Sequence, residues 1–247
     1  RETRWAGRAQ IIEDLPSNLF GADAQPSILQ NLTIFLDGAH TPESMQACAQ
    51  WFCGVHAEVN GLKVAKASEV DDGAVGSQKP SEYTDVQRIL LFNCMEERDP
   101  SALLGPLATA LQESNISFNR AYFVPNDSSR TSVSSSGGPQ KVEHSSQDLE
   151  KDFPWQHRLK TTWDNLQRQQ KQQTTESTTA FTDTLGKRHS LADSAPCESA
   201  LSGSLCSALA TVHENAKRNS TTRVQVLVTG SLHLVGDVLR LLKRAPR

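Results

Sequence analysis

Four short apolar runs punctuate the chain: Leu32 to Leu36, Arg88 to Phe92, Ala121 to Val124 and Val224 to Val228. None alternates cleanly between polar and apolar positions, so each reads as a strand covered on both faces, the signature of a parallel sheet between helix layers. The stretches between them carry a helical period. After the first run, Thr41-Pro42 supplies an N-cap followed by proline at the first helical position. Met45, Cys48, Ala49 and Phe52 then line one face, predicting a helix that ends near Gly54. Asp99-Pro100 repeats this start after the second run, with Leu103, Leu104, Leu107 and Leu111 as its stripe. Ser199 to Lys217 reads as a further helix, with Leu201, Leu205, Ala208, Leu209 and Val212 on one side. Leu232, Val235, Val238, Leu239 and Leu242 form the stripe of a closing helix. This alternation predicts an α/β fold: a Rossmann-like, mainly parallel sheet with right-handed crossovers and flanking helices.

Two stretches break the pattern. Leu62 to Tyr83 is polar and glycine-containing and reads as a surface loop. Asn126 to about Pro196 is a long insert: Ser128 to Gly138 is serine-rich and Gln167 to Gln173 is a Gln/Lys run. Between those tracts Leu149, Phe153, Gln156, Leu159, Trp163 and Leu166 fit one helix, interrupted or started near Pro154. That helix is expected to dock, while Ser128 to Gly138 and Gln167 to Gly186 are expected to be mobile because they bury too little apolar surface to offset ordering. Trp51, Trp155 and Trp163 read as anchors of helices to the core. The expected core is 1–60, 86–125 and 197–245, with inserts at 61–85 and 126–196.

Composition narrows the function classes. Lys plus Arg number 25 against 28 Asp plus Glu, a net charge of −3, so no basic field favours nucleic acid. The five cysteines form no CxxC and cannot all pair, which suits a reducing compartment. They and the seven histidines are scattered rather than set at ligand spacings, so no metal site is expected. No apolar stretch is long enough for a membrane helix, and no membrane partner is expected. N-x-S/T sequons at Asn31, Asn115, Asn126 and Asn219 read as chance matches in a Ser/Thr-rich chain. The chain begins at Arg1 without an initiator Met and reads as a piece of a longer protein.

Candidate chemistry sits where strands end. Asp37-Gly38-Ala39-His40-Thr41-Pro42-Glu43-Ser44 follows a buried strand and opens a helix, the position of the ligand crevice in open α/β sheets. There a carboxylate can accept from a ribose diol, and a helix N-terminus offers free N–H groups to an anion. The plainer reading makes Asp37 a turn cap and His40 a solvated loop residue. Thr229-Gly230-Ser231-Leu232-His233 holds the equivalent place on the last strand, where capping the final helix is itself reason enough for Ser231. Arg8, beside Gly7, can fork onto phosphate oxygens, although most arginines are surface charges. G-x-x-x-x-G-K-[ST], G-x-G-x-x-G, G-x-S-x-G and HExxH are all absent from the sequence.

The strings WAGRAQ (5–10), FLDGAHTPESMQACAQWF (35–52), ILLFNCMEERDP (89–100) and VLVTGSLHLVGDVLRLLK (226–243) resemble the carboxy-terminal domain of folylpolyglutamate synthases of the Mur ligase superfamily, eukaryotic and plant-like. Ala6 departs from the family pattern, which more often has proline there. The resemblance implies an ATP-dependent carbon–nitrogen ligase that adds L-glutamate to the γ-carboxyl of tetrahydrofolate through an acyl phosphate. This chain would be the closing domain, and an amino-terminal domain with the P-loop and most Mg²⁺ ligands would complete the enzyme. A monovalent cation is a further implied cofactor. The same resemblance assigns Arg8 and Asp37 to ATP and His40 and Ser231 to glutamate. It implies a monomer in the cytoplasm or mitochondria, and an isolated piece that is inactive. A dihydrofolate synthase, a peptidoglycan Mur ligase and a non-catalytic remnant are the alternatives.

Overall fold

A computed structural model describes residues 7–20, 27–59, 83–126, 152–179 and 196–243. Among the described residues eight strands and five helices follow in chain order: β1 (Gln10–Ile12), β2 (Leu15–Pro16), β3 (Ile28–Leu29), β4 (Leu32–Asp37), α1 (Pro42–Val59), β5 (Asp85–Phe92), α2 (Pro100–Glu113), β6 (Arg120–Phe123), α3 (Pro154–Thr179), β7 (Glu198–Leu201), α4 (Leu205–Arg218), β8 (Thr222–Thr229) and α5 (Leu232–Leu241). Six strands form one sheet in the order β1-β4-β8-β5-β6-β7, and β2 pairs with β3 in a separate hairpin. Strands β4, β8, β5, β6 and β7 run parallel, whereas β1 closes one edge antiparallel to β4. The four expected core strands are therefore parallel to one another, and β7 adds a fifth.

Alternation of side chains decides which helix covers which face. Phe35, Leu90, Phe92, Ala121, Phe123 and Leu227 point to the layer of α1, α2 and α3. Ile34, Leu36, Ile89, Leu91, Val226 and Val228, their strand neighbours, point to α4 and α5. Both sets are buried, and the fold is a three-layer α/β sandwich. Rings lock the first layer: Phe52 meets Phe35 edge-on with centroids 5.2 Å apart and stacks on Phe118 at 5.7 Å. These are the offset and edge geometries that the ring quadrupole favours.

Several expectations are corrected. Helix α1 continues past Gly54 to Val59; a glycine weakens a helix by about 1 kcal/mol but does not by itself end one. Residues 199–201, expected as the start of a helix, belong instead to strand β7, paired with Arg120–Phe123. The helix begins only after Ser204, whose side chain accepts from the Ser207 N–H at 3.0 Å. Helix α3 starts at Pro154 as expected but runs on to Thr179, through the Gln/Lys run expected to be mobile. Gln, Lys and Arg lose little on entering a helix, and Lys160 Nζ bridges to Asp164 Oδ2 at 2.7 Å one turn on. Residues 62–82, 128–138 and 180–186 of the expected loop and mobile tracts lie outside the described residues.

The tryptophans anchor helices as expected. Trp163 is buried near Phe118, with centroids 6.2 Å apart, and the half-buried Trp51 meets Phe35 edge-on at 5.8 Å. Trp155 Nε1 donates to the Cys94 carbonyl at 2.7 Å, stapling the start of α3 to the loop after β5. Asn31 is 6% exposed, and its amide is shared among the carbonyls of Ala216, Asn219 and Thr222 at 2.9, 3.1 and 3.0 Å. This sequon is committed to tying the end of α4 to β4, so its burial denies the amide to a modifying enzyme.

Candidate functional site

Strand order locates the crevice. Strand β8 lies between β4 and β5, with Asp37 level with Thr229 and Thr229 level with Phe92. The helix after β8 packs on one face, and those after β4 and β5 pack on the other. The chain thus diverges at the carboxyl ends of these three strands, which is the switch point where open α/β sheets bind ligands. The Asp37–His40 and Thr229–Ser231 segments, separate in sequence, are brought side by side there.

Close packing of glycines sets the floor. A Cβ on Gly38 would sit 2.3 Å from Leu232 Cδ2, and one on Gly7 would sit 2.8 Å from Val235 Cγ1. The 7–9 turn, the start of α5 and the end of β4 are therefore in contact. Gly230, at φ +100°, leaves no room for a Cβ, which would fall 2.4 Å from the Asn93 carbonyl oxygen.

Arg8 and Asp37 meet each other. Arg8 Nη1 donates to Asp37 Oδ1 at 3.2 Å, and Ala9 N–H donates to Asp37 Oδ2 at 2.9 Å. The Gly38 N–H adds a bond to the Gly7 carbonyl at 2.8 Å. Asp37 is 7% exposed, so both oxygens serve the turn that presents Arg8. Where a carboxylate held out toward a ribose was expected, the Asp37 oxygens face Arg8 and Ala9, and the half-buried Arg8 guanidinium keeps donors beyond Nη1.

His40 lies in a self-bonded loop. Its Nδ1 is 2.9 Å from the Gly38 carbonyl, and its backbone N–H donates to Ser44 Oγ at 3.1 Å. Ser44 Oγ also accepts the Thr41 N–H at 3.0 Å and donates to the Thr41 carbonyl at 3.0 Å. Thr41 Oγ1 in turn accepts the Ser44 N–H at 3.2 Å, making a reciprocal cap of α1 with serine in the place usual for Glu or Gln. Ser231 is 3% exposed and caps α5, its Oγ accepting the His233 N–H at 3.1 Å. It sits at the crevice floor as a cap rather than as an outward hydroxyl.

Two further groups at the crevice were not singled out by the sequence pattern. Asn93, 2% exposed, directly follows β5, one residue beyond the row of Asp37, Thr229 and Phe92, and its Oδ1 accepts from Gln156 Nε2 of α3 at 3.2 Å. A polar residue directly after a buried apolar strand was its signal. Ser44 stands three residues after Thr41, which is the capping-box spacing. Below the crevice Cys48 Sγ lies 3.6 Å from Thr229 Oγ1, and burial, then the nearby Asp37 charge, push its thiol up to about 12. Burial likewise pushes Cys94 up to about 12, so neither is a nucleophile at neutral pH. Among the described residues, no group of three or more His, Cys, Asp or Glu could hold a metal ion. No described helix is long and apolar enough to cross a membrane.

No protein-family model matches the chain. Two folylpolyglutamate synthases of Arabidopsis thaliana are 36% and 33% identical to it, over 98% and 96% of this chain. It is related in sequence to the folylpolyglutamate synthases. The chain spans 39% and 37% of the length of these two plant relatives. The human mitochondrial folylpolyglutamate synthase is 34% identical over 56% of the chain and 16% of its own length. Among solved structures, Escherichia coli FolC in complex with DHPP and ADP aligns at a TM-score of 0.41 and 13% identity, covering 96% of this chain and 31% of that one. Mycobacterium tuberculosis folylpolyglutamate synthase complexed with ADP and AMPPCP aligns at 0.42 and 14%, covering 99% and 34%.

Proposed function

We propose that this chain is the carboxy-terminal, closing part of an ATP-dependent ligase that adds L-glutamate to the γ-carboxyl of tetrahydrofolate and its polyglutamates. The observation that carries the reading is 36% identity to a folylpolyglutamate synthase over 98% of the chain. The placement of Arg8, Asp37, His40 and Ser231 around one switch point supports it. ATP supplies the phosphoryl group that activates the carboxyl for amide formation. Arg8, steadied by Asp37, offers a charged fork to phosphate oxygens at that edge. Gly7 and Gly38 keep side chains out of the turn beside it.

For glutamate, the chain offers His40 and the amino ends of α1 and α5, where partial positive charge suits a carboxylate. The attacking amine must be neutral, and His40 orients it through a ring nitrogen, with proton acceptance open to the same atom. Ser231 contributes by fixing the start of α5. The described residues gather no cluster of carboxylates, histidines or cysteines that fits Mg²⁺. An amino-terminal P-loop domain is the partner in this proposal, with a monomeric enzyme in the cytoplasm or mitochondria; the human relative is named as mitochondrial.

The test is steady-state kinetics of the whole ligase with ATP, tetrahydrofolate and glutamate varied in turn. His40→Ala is expected to lower kcat/KM for glutamate by roughly 5- to 150-fold, the loss of one contact of about 1–3 kcal/mol. Arg8→Ala is expected to act on ATP instead. Wild-type dependence on all three substrates in both variants, or turnover by residues 1–247 alone, would overturn the assignment.

A further inference from the structure

The 38–44 loop contains more hydrogen bonds than a helix cap needs. Thr41 Oγ1 already caps α1 by accepting the Ser44 N–H at 3.2 Å. Ser44 Oγ adds a second set: it accepts from the N–H groups of His40 and Thr41 at 3.1 and 3.0 Å and gives its proton to the Thr41 carbonyl at 3.0 Å. Thr41 Oγ1 also lies 3.1 Å from it, so with one proton and two lone pairs this oxygen is fully used, on the backbone of His40 and Thr41 and on the Thr41 hydroxyl.

The consequence falls on the imidazole. The Gly38 carbonyl, 2.9 Å from His40 Nδ1, can only accept, so in the neutral ring Nδ1 carries the proton and Nε2 keeps its lone pair. Among the described residues Nε2 has no hydrogen-bond partner, and His40 is half-buried at the carboxyl end of β4. An Nδ1 bond to a carbonyl only two residues back needs a tightly curved backbone at 38–40, and the next constraint on that curve is Ser44 Oγ at the His40 N–H.

We propose that Ser44 is a positioning residue: its hydroxyl holds the 38–41 turn so that His40 stays in the Nδ1–H tautomer and offers Nε2 as a hydrogen-bond acceptor at the crevice. The role suggested for that acceptor, receiving the amine of the incoming amino acid, rests on the function proposed above. The tautomer does not.

Long-range proton–nitrogen NMR of the His40 ring in the 247-residue chain tests the proposal, with His40→Ala giving the assignment and circular dichroism confirming the fold of each variant. Wild type is expected to show a protonated Nδ1 and a bare Nε2 in the neutral ring. Ser44→Ala is expected to show mixed tautomers, and Ser44→Thr, which keeps the oxygen, the wild-type pattern. A folded Ser44→Ala variant with an unchanged ring spectrum overturns the proposal. Should Ser44→Ala unfold, Ser44→Cys takes its place, because a thiol of similar size is only a weak donor and acceptor. Mixed tautomers are expected there too, and an unchanged ring spectrum in that variant is equally fatal to the proposal. In the whole ligase Ser44→Ala is expected to lower kcat/KM for glutamate about tenfold, with Ser44→Thr restoring it. If the tautomer shifts but neither Ser44→Ala nor His40→Ala alters the glutamate dependence, the hold of Ser44 stands and the amino-acid reading of the site falls.

Discussion

Replacing Asp37 by alanine removes the acceptor on which the 7–9 turn is built. The Ala9 N–H, at 2.9 Å, loses a charged partner worth about 1.5–3 kcal/mol. Arg8 loses an ion pair of 3.2 Å, but its side chain is 36% exposed, so water replaces much of that contact and its share is about 0–1 kcal/mol. Gly7 and Ala9 hold φ of +70° and +45°, and the carboxylate offsets the strain of the left-handed alanine. The expected loss is therefore about 1.5–4 kcal/mol for Asp37→Ala and at most about 1 kcal/mol for Arg8→Ala. Urea unfolding of both single variants and the double variant, followed by circular dichroism, measures each cost and the Arg8–Asp37 coupling. Asp37→Asn keeps one acceptor and should fall between wild type and alanine. The reasoning is refuted if Asp37→Ala costs no more than Arg8→Ala. It fails equally if the coupling exceeds about 2 kcal/mol, which would make the ion pair rather than the backbone bond the main support.

Gly230→Ala should lose about 3 kcal/mol or more, because its Cβ would lie 2.4 Å from a backbone oxygen and 2.6 Å from the Phe92 ring at φ +100°. Gly236→Ala, with open space around the added methyl group, should gain about 0.5–1 kcal/mol, and thermal melts of the pair check the contrast. Asn31→Ala removes the amide donor shared by the Ala216, Asn219 and Thr222 carbonyls between α4 and β8, of which Asn219 keeps the Thr222 N–H, and should cost about 1–3 kcal/mol, with hydrogen exchange of residues 216–222 rising first. Stability should also fall in alkali. Cys48 and Cys94 stay thiols up to about 12 when folded but ionise near their ordinary 9.0 when unfolded. Above pH 9 the unfolded state thus binds fewer protons, and their contribution, full below 9, is lost as pH rises toward 12. Urea midpoints at pH 8, 9 and 10 should decline, and an equally steep decline in Cys48→Ala with Cys94→Ala would assign it elsewhere.

Local chemistry alone determined much of this protein. The buried runs at 32–36, 88–92, 121–124 and 224–228 needed both faces covered, and only a sheet between helices does that. Asp99-Pro100 and Ser231 marked helix starts because each cap acts within two or three residues of itself. The candidate segments at 37–40 and 229–231 were legible for the same reason, since the ends of buried strands are where backbone groups and polar side chains reach solvent together. Pairing decided the rest. Glu198–Leu201 has little to mark it as a strand until the edge of β6 supplies its partners. The Gln/Lys part of α3 could not be told from a mobile tract by composition, because helix formers on a solvated face and disordered polar runs use the same residues. Which strand stands beside which is set by long-range packing, so only the tertiary structure puts β8 between β4 and β5 and brings Thr229 level with Asp37. It also turns Asp37 inward onto Arg8 and Ala9, because a carboxylate that is 7% exposed must spend its oxygens on the nearest donors, and those lie 28 and 29 residues away in the chain.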